Sequence, residues 1–144
     1  MSGKVHLQDK CQPVTLICAY SPTNTSPLAS REKFYSQVRT LLTPNTWLMS
    51  DFTARVGRRP SGEDMEFGAE PSNTVGPYSL KSDTIPNANG ALLLSVAAEN
   101  DLRHTASNFT CRDSKRWMWR HPRYRTRAVL DHIFVPAMHM RFIT

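Results

Sequence analysis

The run Val14-Thr15-Leu16-Ile17-Cys18-Ala19-Tyr20 is apolar or β-branched on both of its alternating faces. A strand of that kind is expected where both sides are covered, so it demands a layered fold in which other elements pack over it. After it the period changes, with Phe34, Val38, Leu41 and Leu42 recurring at i, i+4, i+7 and i+8. That is one stripe of a helix lying on a sheet, and Pro44 stops it. Thr46-Trp47-Leu48-Met49 is then a second short strand, and Val129 to Val135 a third. Lys4 to Gln8 is expected to pair with the first run as a preceding strand. Strands separated by helical stripes specify an α/β domain.

Between these elements Arg58 to Ser79 has several Gly and Pro residues and no sustained period, which predicts a long surface loop. Its acids Glu63, Asp64, Glu66 and Glu70 are expected to form a solvated face. A second helix is predicted from Asn87-Ala88-Asn89-Gly90 to about Asn100, with Asn89 as its N-cap and Leu92, Leu93, Val96 and Ala97 on its apolar side. Near the end of the chain, Met138-His139-Met140 has too few partners for a soft-metal site and is expected to pack.

Three residues stand where chemistry is usually placed. Asp51 leaves the second strand as it opens into Phe52-Thr53-Ala54-Arg55-Val56-Gly57, and two roles stand side by side: capping the next turn, or presenting a carboxylate from a rigid strand end. In the third strand Val129, Asp131, Ile133 and Val135 project one way, while Leu130, His132 and Phe134 project the other. Asp131 is therefore expected to share a face with three apolar side chains and to be the most buried of the three. A carboxylate there is costly unless it is paired or hydrogen-bonded. Tyr20 ends the first strand before the turn Ser21-Pro22-Thr23, either as a core-rim aromatic or as a functional hydroxyl.

Charge narrows the partners. Lys and Arg outnumber Asp and Glu by 18 to 12, for a formal charge of +6, and the sequence pI is about 9.6, which favours a polyanion. The cations cluster between Cys111 and Arg127, where Arg112, Lys115, Arg116, Arg120, Arg123, Arg125 and Arg127 interleave with Trp117, Trp119, His121 and Tyr124. Two readings remain: a surface that tracks phosphates and stacks on bases, or a basic hairpin with at least one tryptophan in the core. The three cysteines, Cys11, Cys18 and Cys111, form no metal-type pair and are expected to be reduced, apolar fillers of an intracellular protein. No stretch approaches the roughly 18 apolar residues of a membrane helix, so no membrane partner is expected.

These motifs resemble those of the endonuclease/exonuclease/phosphatase superfamily, in the form found in apurinic-type endonuclease domains of long interspersed retrotransposons. Ser50-Asp51-Phe52-Thr53-Ala54 is similar to its Gly-Asp-Phe-Asn-Ala signature, with Ser50 for Gly and Thr53 for Asn. Tyr20-Ser21-Pro22-Thr23 is similar to its Tyr-Ala-Pro-Thr/Asn segment. Leu130-Asp131-His132-Ile133 is similar to its Ile-Asp-His/Tyr-Ile strand, and Gly76-Pro77-Tyr78 with Asn87-Ala88-Asn89-Gly90 to the passage between the signature strands. The resemblance implies a DNase I-like four-layer sandwich, two β-sheets flanked by helices, and makes residues 1–144 a single domain truncated at both ends. It implies Mg²⁺-dependent hydrolysis of DNA, with Asp51, Tyr20 and Asp131 as catalytic residues and a nuclear place of work. Thr53, Asn87, Asn89, Trp119, Arg123 and Arg125 would contact the substrate. Met118 stands where the family has a threonine. Neither the family's metal-binding glutamate nor its Ser-Asp-His motif is recognised, so the metal ligands are left unassigned and activity is expected to be impaired. The alternative is an inactive remnant that at most binds nucleic acid.

Overall fold

The computed structural model describes residues 2–5, 13–59, 73–79, 84–120, 122–123, 125 and 127–143. Its centre is a five-stranded sheet of β1 (Ser2–Val5), β2 (Val14–Cys18), β3 (Thr46–Asp51), β7 (Asp131–Pro136) and β4 (Leu102–His104), in that spatial order. Helix α1 (Leu28–Leu41) connects β2 to β3, which pair in parallel, while every other pairing in this sheet is antiparallel. Helix α2 (Ala88–Glu99) leads into β4. A short helix α3 (Asp113–Arg116) precedes a two-stranded ribbon of β5 (Trp119–Arg120) and β6 (Arg127–Ala128). The α/β class expected from the sequence is what the chain adopts.

Parity explains which side chains meet. Ile17, Leu48 and Phe134 share one sheet face and are buried with Tyr35 and Val38 of α1 and Leu93, Val96 and Ala97 of α2. The buried line of α1 is Arg31, Tyr35 and Val38, not the predicted Phe34, Val38, Leu41 and Leu42. Phe34 and Leu42 only flank the core, and Leu41 is 59% exposed. The core line is turned by about one residue because Tyr35 buries its ring, stacked 6.5 Å from Phe52, and Arg31 caps the Ser26 carbonyl at 3.1 Å. Burial pushes the Tyr35 hydroxyl up to about 12.

Other expectations are corrected in detail. The N-terminal strand is Ser2–Val5, and the rest of the predicted Lys4 to Gln8 run lies outside the described residues, as do Glu63, Asp64, Glu66 and Glu70. Helix α2 is capped by Asn87, whose side chain accepts from the Gly90 amide, and Asn89 sits inside its first turn. Cys18 and Cys111 are exposed, so neither is a core filler. His139 does pack, its Nδ1 accepting from Trp47 Nε1 at 3.0 Å.

Candidate functional site

The sheet face opposite the helices carries Cys18, Met49, Asp51, Asp131 and Ile133, because these positions are in register across β2, β3 and β7. They floor an open cleft of about 410 Å³, with Thr105, Ala106 and Met118 on its walls. Asp51 and Asp131 are direct cross-strand partners. The two carboxylate-bearing residues, 80 positions apart, thus arrive side by side through pairing alone.

Asp131 is exposed, which overturns the expectation that it would be the most buried of the three. The alternation along β7 is as predicted and its sense is inverted: His132 and Phe134 face the helices, and Asp131 and Ile133 face the cleft, Ile133 with 43% of its surface open. Asp51 is half-buried, and its Oδ1 accepts from the Thr53 amide at 2.8 Å. The turn-capping role and the presentation of a carboxylate are therefore served by the same side chain.

Tyr20 does not line this cleft. It is 71% exposed and belongs to an adjoining groove between β2 and α1, bordered by Cys18, Phe34 and Leu41. Cys18 is shared by the two openings. Thr53 is turned away as well, its hydroxyl engaged with the Pro22 carbonyl at 3.3 Å and with Asn89 Nδ2 at 3.0 Å. Asn89 is wholly buried and both ends of the Asn87 amide are bonded to backbone groups, and neither residue lines the cleft. Met118, 59% exposed, hangs over the cleft at the foot of the basic ribbon.

On that ribbon Trp119 is 39% exposed, and Arg120, Arg123, Arg125 and Arg127 are exposed. Trp117 is the tryptophan that is half-buried, with the Arg127 guanidinium 5.1 Å over its ring. Arg116 is committed elsewhere: its guanidinium donates to the carbonyls of Ala106, Phe109 and Cys111. His121 and Tyr124 lie outside the described residues.

Sequence reasoning missed the groups behind the cleft. His132 Nε2 is 2.9 Å from the Ala54 carbonyl and must donate to it, so in the neutral ring Nδ1 accepts. His104 Nε2, 3.0 Å from that Nδ1, then donates, and His104 Nδ1 is an acceptor 3.0 Å from Ser107 Oγ, whose one proton is shared between this nitrogen and the His104 carbonyl, also 3.0 Å away. The Gly76 amide donates to Ser107 Oγ at 2.8 Å. Burial drives the His104 ring well below its usual titration range, helped by His132 and Arg116. Burial also lowers His132, against the Ala54 carbonyl and the Asp131 and Asp51 carboxylates, which pull the other way. Both rings therefore stay neutral, tying the loop after Asp51 to β7 and β4. Nothing local in the sequence pairs residues 104 and 132.

Among the described residues no group of three or more His, Cys, Asp or Glu side chains is arranged to hold a metal ion. Asp51 and Asp131 supply two hard oxygen-donor groups on one wall of an open cleft, which suits a cation that takes one or two carboxylates and completes its shell with water and phosphate oxygens.

No family model matches the chain, and no curated protein matches it. Among solved structures it is similar to the endonuclease domain of TRAS1, a telomere-specific non-LTR retrotransposon, at 14% sequence identity and a TM-score of 0.48, with 93% of this chain aligned. The chain spans about half of that structure, 49% of its length.

Proposed function

We propose that the chain is a phosphodiester-cleaving domain of the retrotransposon endonuclease type, the type also carried by craniofacial development protein 2, acting on DNA with Mg²⁺ and weakened by its own substitutions. The observation that carries this is the direct opposition of Asp51 and Asp131 on the floor of an open cleft. Like charges directly opposite on neighbouring strands repel. A fold keeps such a pair where a bound cation offsets the repulsion.

Asp51 and Asp131 would hold Mg²⁺, which when bound neutralises phosphate charge and lowers the barrier to attack by water. Asp51, oriented by the Thr53 amide, is placed to accept the proton of that water. The Tyr20 hydroxyl stands at the neighbouring mouth, where a phosphate reaching across the shared Cys18 wall would meet it. Arg120, Arg123 and Arg125 would track the flanking backbone, and the Trp119 ring offers a face for a base. Thr53, with its hydroxyl turned inward, and Met118, with an apolar thioether on the wall, supply none of the polar contacts that an amide and a hydroxyl would. Activity is accordingly lower than in the family it resembles.

A plasmid-nicking assay tests this, with Mg²⁺ or with chelator, on the native chain and on Asp51→Ala. Slow, Mg²⁺-dependent nicking that Asp51→Ala abolishes is expected. DNA binding without any nicking would instead favour the second reading, a silent binding module, for which Met118 over the carboxylates is the specific observation.

A further inference from the structure

The tetrapeptide Asn87-Ala88-Asn89-Gly90 makes an unusual number of bonds to a segment far from it in sequence. Asn87 Oδ1 accepts from the Arg55 amide at 3.0 Å and from the Gly90 amide at 2.8 Å, while its Nδ2 donates to the Thr53 carbonyl at 3.2 Å. The Asn87 amide itself donates to the Arg55 carbonyl at 3.2 Å. Asn89, with none of its surface exposed, donates from Nδ2 to the Pro22 carbonyl at 2.8 Å, to Thr53 Oγ1 at 3.0 Å and to the Phe52 carbonyl at 3.3 Å. Its backbone amide donates to Asn24 Oδ1 at 3.2 Å. Gly90 completes the contact, since a Cβ there would stand 1.8 Å from the Arg55 carbonyl oxygen.

The segment so gripped contains a backbone conformation that needs help. Thr53 has φ +43°, a left-handed geometry that costs an L-residue roughly 1–2 kcal/mol and is least suited to a β-branched one. Such a residue persists only where its surroundings over-determine it. The Phe52–Thr53 peptide that leads into this turn presents its carbonyl to Asn89 Nδ2 at 3.3 Å and its amide to Asp51 Oδ1 at 2.8 Å, so holding that peptide holds the carboxylate.

We infer that Asn87 and Asn89 are positioning residues that clamp Thr53 in its left-handed turn and thereby fix the direction of the Asp51 carboxylate. The inference rests on Asp51 being the residue that bears the chemistry. It assigns the two amides, Asn89 buried and Asn87 half-buried, a task different from substrate contact, and it explains each of the three polar or glycine positions of the tetrapeptide separately. Asn87 grips the chain after Thr53, Asn89 grips it before and at Thr53, and Gly90 lets the helix end come close enough for both.

NMR on the isotope-labelled chain provides the test, using hydrogen exchange at the residue 53 amide and the ¹³Cγ resonance of Asp51. In Asn89→Ala the Thr53 amide should exchange about tenfold faster relative to the Leu48 and Phe134 amides, the loss of one well-made hydrogen bond's worth of protection, and the Asp51 ¹³Cγ should move. Adding Thr53→Gly in the Asn89→Ala background should restore both signals, because glycine takes positive φ unaided. Asn87→Asp, which keeps the capping oxygen and turns the donor to the Thr53 carbonyl into a charged oxygen that repels it, should move the same two signals, and it provides the measurement if Asn89→Ala does not fold. Unchanged Thr53 exchange and Asp51 ¹³Cγ in folded Asn89→Ala or Asn87→Asp would overturn the clamp, as would failure of Thr53→Gly to restore them. None of these signals requires cleavage, so an inactive chain refutes the nuclease proposal and leaves the clamp standing. In an active chain, Asn87→Asp should lower kcat with KM unchanged.

Discussion

Acid should destabilise this protein well before its carboxylates titrate, and the cause should be His104 and His132. Both rings are held below their usual range, chiefly by burial. An unfolded chain binds protons on these groups from about pH 6.5 downward, and the folded chain refuses them. The stability contributed by keeping them neutral is therefore complete above pH 6.5 and falls as the pH drops toward the folded-state values. The loss runs at about 1.4 kcal/mol per pH unit for each ring that stays neutral in the fold, and it ends for that ring once the folded protein takes up the proton. Against a total of roughly 5–15 kcal/mol for a domain, that is a large share. Urea denaturation at pH 7.5, 6 and 5, at fixed ionic strength, should show the midpoint falling with each step, by at most about 0.7 M per pH unit for each ring still neutral, taking a slope near 2 kcal/mol per M. Glu99, held low by Arg39, cannot mimic this, because it loses its contribution only below its ordinary range near 4.5. A His104→Gln/His132→Gln variant should be less stable at pH 7.5 and much flatter with pH. A small slope should survive from His139, which burial and Arg141 also lower. A midpoint that does not move between pH 7.5 and 5, or one that moves equally in the double variant, would refute the neutral relay.

Thr53→Asn should raise stability by about 1 kcal/mol or leave it unchanged, since asparagine tolerates positive φ and can still offer an oxygen to Asn89; thermal denaturation that shows a loss above that size would contradict the strain at this position. Gly90→Ala should cost more than about 3 kcal/mol or prevent folding, because its methyl would overlap the Arg55 carbonyl, which chemical denaturation or a lost NMR fingerprint would reveal. Arg39→Ala should change stability by no more than about 1 kcal/mol, the Arg39–Glu99 pair being 2.7 Å long and open to solvent on both sides. If the ribbon tracks phosphates, replacing Arg123 and Arg125 with Ala should weaken duplex binding and reduce the slope of log K against log[salt] by about 0.9 for each contact removed, as read by fluorescence anisotropy; an unchanged slope would place the DNA elsewhere.

Strands β2, β3 and β7 were legible because β-branched and apolar runs such as Val14 to Cys18 have few alternatives, and α2 because its apolar side repeats cleanly through Leu93, Val96 and Ala97, whereas the three residues of β4 are too few to show a period. The phase of α1 was not. Arg31 and Tyr35 look like surface residues in sequence, yet both are buried: Arg31 Nε donates to the Ser26 carbonyl, and the Tyr35 ring stacks on Phe52 with its hydroxyl buried and unpaired. Asn89 was misplaced because a long-range set of carbonyls, supplied by Pro22 and Phe52, draws its Nδ2 into the interior where the local pattern reads it as a cap.

Asp131 shows most clearly where sequence reasoning must yield to pairing. Counting apolar neighbours assigned it to the core, since Val129, Ile133 and Val135 share its parity and only Leu130 and Phe134 oppose it. The register that places Asp131 against Asp51 also places His132 against Ser50, and a slip by one residue would exchange the two faces. The slipped strand would bury a carboxylate against α1 and α2, at a cost of several kcal/mol without a partner. The observed strand buries an imidazole instead, neutral and bonded at both nitrogens to Ala54 and His104. Exposing half of Ile133 costs far less than burying Asp131 would, on the order of 1 kcal/mol. The burial of His132 and the opening of the Asp51–Asp131 cleft are thus one choice of register, and the neutral histidine relay is what makes it favourable. Conditions that protonate the relay should therefore loosen β7 on β3 and disorder the carboxylate pair together with it.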